Sequence, residues 1–168
     1  MLPVHSTRSG HAIFEQIPGL YDELRFRMGF GLAQGNISDQ QKALHPVMLN
    51  WLDEIIADIA GTALAGAEFA KGAILTLTLP EKFVDDTDAV HPPPLVRPYT
   101  DARILQNIPS YSSSTPEILS ILDNFTSRYL GRRFESLPSI ISLTLGDVRL
   151  ELERLVDLIW NTPLDTLG

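Results

Sequence analysis

The sequence predicts an all-α protein, a single helical domain of about five or six helices with a long proline-rich loop. Three observations carry this. Apolar residues recur at three- and four-residue spacing through 48–63 and again through 140–159, the signature of helices with one buried side. Helix-start patterns stand at Ser38 and Gln41 and at Thr115 and Pro116. The one alternating stretch, 72–79, has no second strand to pair with and reads as the end of a helical hairpin. A length of 168 residues fits one domain with a real core.

The elements follow in order. Residues 1–18 carry no clear pattern and are a candidate flexible segment. Residues 19–33 form a weak helix on Leu20, Leu24 and Met28, with glycines near its end. Ser38 caps the next helix with Gln41 closing a capping box, and this helix is expected from about Asp39 to Phe69 with a break near His45 and Pro46. The loop spans residues 80–100, rich in proline and carrying Asp85, Asp86 and Asp88; a structureless segment of about 20 residues is usually functional or disordered. A short helix from Asp101 to Ile108 ends at Pro109, another opens at Thr115 and runs to about Leu130, and the last covers Leu137 to Asn161. No repeat argues for a solenoid.

Composition excludes several function classes. Net charge is −8 and the isoelectric point about 4.8, which argues against nucleic-acid binding; the Arg128, Arg132 and Arg133 group is too small to reverse that. Without cysteine there are no disulfides, thiolate metal sites or Cys nucleophiles, so any metal ligand must be His, Asp or Glu. No apolar run reaches the roughly 18 residues of a membrane span, and residues 1–10 lack a signal-peptide pattern, so a soluble, cytoplasmic protein is expected. Phosphate-loop, dinucleotide-turn and Gly-x-Ser-x-Gly motifs are missing from the sequence. Trp51 and Trp160 read as core anchors.

The stretch 51–61 is the most informative. Its polar side carries Asp53, Glu54 and Asp58, and no Lys or Arg occurs between Ala43 and Ala70. Met48, Leu52, Ile55, Ile56, Ile59 and Ala63 share the apolar arc, with Glu54, Ala57, Asp58, Gly61 and Ala65 opposite. Glu54 and Asp58 sit one turn apart, where like charges repel by a few tenths of a kcal/mol, and the small residues beside them invite close approach by another segment. Three partners fit these carboxylates: water on a solvated face, the commonest arrangement; an arginine clamp from Arg97 or Arg103; or a metal held by Glu54.

Glu54, Ala57 and Asp58, followed by Val90, His91, Pro92 and Arg97, resemble the second half of gluzincin-type zinc metallopeptidases, the group that includes the CAAX prenyl and heat-shock membrane proteases. In that family a His-Glu-x-x-His helix supplies two ligands and the general base, and a later Glu-x-x-Ala-Asp helix supplies the third. The resemblance covers roughly residues 44–105. It implies zinc as cofactor, Glu54 as third ligand, Asp58 as the carboxylate behind a ligand histidine, and His91 and Arg97 lining the catalytic site. Two departures stand out: no His-Glu-x-x-His occurs in the sequence, and Val90 replaces the family's Thr. A third-ligand helix without a catalytic helix fits the C-terminal piece of a longer protease or a degenerate relative, and neither would hydrolyse peptides as an isolated chain. Of the other histidines, His5 and His11 read as tail or packing residues, and His45 before Pro46 as a lesser candidate for touching the Glu54 site.

The competing expectation is a helical interaction module with no metal site, binding a protein partner or a second copy through the last helix. There Leu145, Val148, Leu152, Leu155, Val156 and Ile159 form one side and Asp147, Arg149, Glu151, Glu153, Arg154 and Asp157 the other, a pattern that equally suits an ordinary bundle helix.

Overall fold

A computed structural model describes residues 16–33, 38–77, 91–134, 143–161, 163 and 165. The architecture is all-α. Among the described residues seven helices follow in order: α1 Leu20–Ala33, α2 Asp39–Asn50, α3 Leu52–Ala65, α4 Ala67–Leu77, α5 Arg97–Asn107, α6 Thr115–Leu130 and α7 Leu145–Asn161. Residues 1–15, 78–90 and 135–142 lie outside the described set, and with them most of the expected loop and the start of the expected last helix.

The start of α2 is the capping box the sequence predicts. Gln41 N donates to Ser38 Oγ and Ser38 N to Gln41 Oε1, both at 3.1 Å. The expected break near Pro46 falls elsewhere. Pro46 lies inside α2, and the chain bends only at Trp51, whose φ of −91° and ψ of 0° leave the helical region. The cause is packing. Leu44, Met48, Trp51 and Leu52 are all buried, so the core grips the chain on both sides of the proline and holds the turn helical despite the lost hydrogen bond. A second break separates α3 from α4 at Gly66, with φ of 64° and the Tyr111 ring 2.5 Å from where a Cβ would stand. Residues 39–77 are thus three helices rather than one and a hairpin.

Helix α5 is the centre of the molecule, packed against α3, α4, α6 and α7. Pro98, Tyr99, Thr100, Asp101, Ala102, Ile104 and Leu105 are buried along it. It begins earlier than the expected Asp101, because Pro98 occupies the first turn, where a missing N–H breaks no helical bond. Helix α6 matches its expected span, although Thr115 does not cap it; its hydroxyl donates back to the Tyr111 carbonyl at 3.2 Å. Helix α7 starts at Leu145 because Thr144 and Asp147 cap each other, Asp147 N donating to Thr144 Oγ1 at 3.2 Å and Thr144 N to Asp147 Oδ2 at 2.8 Å. Just before it, Arg133 and Thr144 form an isolated antiparallel bridge.

Two apolar clusters result. One gathers Leu24, Met48, Leu52, Leu95, Leu145 and Leu152 around Trp51, which is 0% exposed and meets Phe134 edge-on with ring centres 5.9 Å apart. The other joins α4, α5 and α6 through Ala70, Ile74, Tyr99, Leu105, Ile118 and Leu122. The Glu54 group lies where α3 crosses α5.

Candidate functional site

Two of the three acidic residues on α3 are not solvated, while Asp53 is half-buried. Glu54 and Asp58 are each 5% exposed, and α5 covers them. Arg97, the first residue of α5, lies 39 residues beyond Asp58 and reaches back to it with both arms of its guanidinium. Nε donates to Asp58 Oδ2 at 2.9 Å and Nη2 to Oδ1 at 2.6 Å, the planar two-point fit that only arginine gives a carboxylate. The same Nη2 stands 3.3 Å from Glu54 Oε2. His91 Nε2 lies 3.8 Å from Glu54 Oε1, with its side chain 42% exposed. Arg103, the other clamp candidate, turns the opposite way and forms its two-point pair with Asp157 of α7, at 2.7 and 2.6 Å.

The structure therefore brings together all four residues singled out in the sequence: Glu54, Asp58, His91 and Arg97. It adds two more. Asp101, one turn after Arg97, is 1% exposed and accepts a hydrogen bond from Thr62 Oγ1 at 2.8 Å. Thr62 itself sits one turn after Asp58, so α3 and α5 face each other through two rungs, Asp58 with Arg97 and Thr62 with Asp101. No signal in the sequence pairs Thr62 with Asp101, which stand on different helices.

The electrostatics follow from burial. Three carboxyl groups, Glu54, Asp58 and Asp101, share one guanidinium. Burial pushes the Asp58 carboxyl up while Arg97 beside it pulls it down. Burial alone would lower Arg97, but the Asp58 charge and hydrogen bonds, with Glu54 and Asp101 behind them, outweigh it and hold the guanidinium firmly ionised. Asp101 stands well above the ordinary carboxylate range, first because it is fully buried and second because of the Asp58 charge; the Thr62 hydroxyl and Arg97 only partly offset this. In chemical terms the group is a buried ion pair with a carboxyl of raised proton affinity beside it.

The residues do not fit a zinc ion by themselves. Both Asp58 oxygens are taken by Arg97, whose positive charge also stands against Glu54, and among the described residues no group of three or more His, Asp or Glu side chains is arranged to hold a metal. His45 lies elsewhere, beside a small cavity lined by Met28, Met48, Glu151, Arg154 and Leu155. Its Nε2 is buried without a partner, and burial, then the nearby Arg154, lowers its affinity for a proton. His5 and His11 fall outside the described residues. No helix among the described residues is long and apolar enough to cross a membrane. Comparison of the chain with protein-family models, with curated proteins and with solved structures returns no match.

Proposed function

We propose that this chain is a helical scaffold related to the C-terminal part of gluzincin zinc metallopeptidases, not proteolytic by itself, in which an arginine holds the acidic helix. The observation that carries this reading is the position of Arg97. It comes from the segment that resembles the family's His-Pro…Arg stretch and meets Asp58 on the helix that resembles the third-ligand helix. His91 of the same segment meets Glu54. The spacing along the chain and the meeting in space support the same relationship. With the guanidinium between Glu54 and Asp58, the carboxylates are held by an internal cation rather than waiting for an external one.

Metal analysis of the purified chain, with a peptidase assay, tests this. Zinc well below one per chain is expected, unchanged in Glu54→Ala, with no peptide hydrolysis. Stoichiometric zinc that disappears in Glu54→Ala would overturn it. A second reading, an interaction module using the last helix, cannot use the expected side, because Leu145, Val148, Leu152, Leu155 and Val156 are buried in the domain's own core; it rests instead on Leu150, 61% exposed, and Trp160, 36% exposed, both on α7. Light scattering after size-exclusion chromatography separates the two, since a strict monomer disfavours self-association through α7.

A further inference from the structure

Among the described residues two buried side-chain nitrogens have no hydrogen-bond partner, His45 Nε2 and Trp51 Nε1. Both belong to α2, Trp51 as the residue that ends it. A buried polar atom left unpaired costs free energy, so two on one helix mark where the packing is least satisfied. Pro46, next to His45, also removes one backbone bond from the same helix. The place is where α2 meets α1 and α7. Met28 of α1, Met48 of α2 and Glu151, Arg154 and Leu155 of α7 close with His45 around a cavity of about 10 Å3, room for one water at most. The ring is half-buried, so a proton can still reach it.

The charges around the ring decide what that proton does. From α1 comes Arg25, and from α7 come Arg154 and Glu151. Glu151 is already committed, accepting from Arg154 Nε at 2.8 Å and Nη2 at 2.5 Å and from Gln41 Nε2 at 3.3 Å. The two charged residues of α2, Asp39 and Lys42, pair with each other at 3.0 Å. An imidazolium would therefore be the third cation around one carboxylate, with its Nε2 proton buried where no acceptor lies within reach. Burial, then Arg154, lower the ring's affinity for a proton; Glu151 opposes them and Arg25 adds to the lowering. We propose that this junction is an acid-sensitive joint, in which proton uptake by His45 frees α1 and α2 from α7 while the cluster of α4, α5 and α6 stays packed. Above the ordinary histidine value of 6.5 the ring is neutral whether the joint is closed or open. Below it the open joint binds the proton first, so opening becomes more favourable by up to about tenfold per pH unit until the closed ring also titrates. The joint stands independently of the metallopeptidase relationship.

Hydrogen exchange of the full chain, followed by mass spectrometry and corrected for the pH dependence of intrinsic exchange, reads the opening directly. Between about pH 7.5 and about pH 5.5 the protection of amides in α1 and α2 should fall by about three- to tenfold, while α5 and α6 change by less than about twofold. His45→Gln, polar but unable to gain a proton, and His45→Phe, which sets an apolar ring in the same place, should each abolish the fall, with the folding of both checked by circular dichroism. Protection of α1 and α2 that does not change with pH refutes the joint, as does a fall that persists in both variants or spreads equally to α5 and α6. Carbon-13 NMR of the His45 ring in the wild-type chain needs no variant. A titration midpoint below 6.5 is expected, and one at or above 6.5 sinks the proposal.

Discussion

Arg97 neutralises carboxylates that water no longer reaches, so its removal exposes the full penalty of burying them. Arg97→Ala is expected to cost about 3–5 kcal/mol in urea unfolding, and Arg97→Lys to recover only part, because an ammonium cannot make the two-point contact. Asp101 gives a pH signature of defined sign. Unfolded, it loses its proton near the ordinary value of 3.8; folded, it holds the proton to higher pH. Below both values the folded and unfolded chains are equally protonated and this residue costs nothing. As pH rises past 3.8 the unfolded chain alone releases the proton, so stability falls by about 1.4 kcal/mol per pH unit until the folded carboxyl also titrates. Asp101→Asn keeps the acceptor for Thr62 and lacks that loss. Its stability relative to wild type should therefore grow with pH, as read by urea midpoints at successive pH values. The charged half of this group was legible in the sequence, because Glu54 and Asp58 lack any basic neighbour on their own helix. The Thr62–Asp101 half was not, since a threonine and an aspartate on different helices become partners only once α5 lies across α3.

Among the elements, the glycine at the α3–α4 junction and the proline within α2 make opposite predictions. Gly66→Ala forces a positive φ and a contact with Tyr111 and should destabilise by about 2 kcal/mol or more. Pro46→Ala restores a donor to the middle of α2 and should raise the thermal midpoint, by about 1–2 kcal/mol of stability after the loss of proline's restraint on the unfolded chain. Periodicity revealed most of the helices, and local capping fixed the start of α2. It failed at the breaks. Trp51 reads only as a core anchor, and nothing local reveals that both helices turn around it. Helix α5 was partly hidden for the converse reason: the prolines that suggest loop end at Pro98, which belongs to the helix's first turn.

For the whole molecule, Trp51 joins the first half of the chain to Phe134 and the last helix, so Trp51→Ala should cost about 3–5 kcal/mol and loosen both. Its environment also gives a simple optical check. Trp51 is sealed from solvent while Trp160 is 36% exposed, so iodide should quench one class of tryptophan emission and leave a blue-shifted class intact. The placement of α5 has a further consequence for how the chain comes to be folded at all. It touches α3, α4, α6 and α7, yet it is made only after α4 is complete. Until Arg97 is synthesised, the half-chain ending at Leu77 carries Glu54 and Asp58 with no counter-charge to bury them against. Such a truncated chain should remain open and protease-sensitive, and folding should proceed as one late, cooperative event rather than helix by helix as the ribosome delivers them.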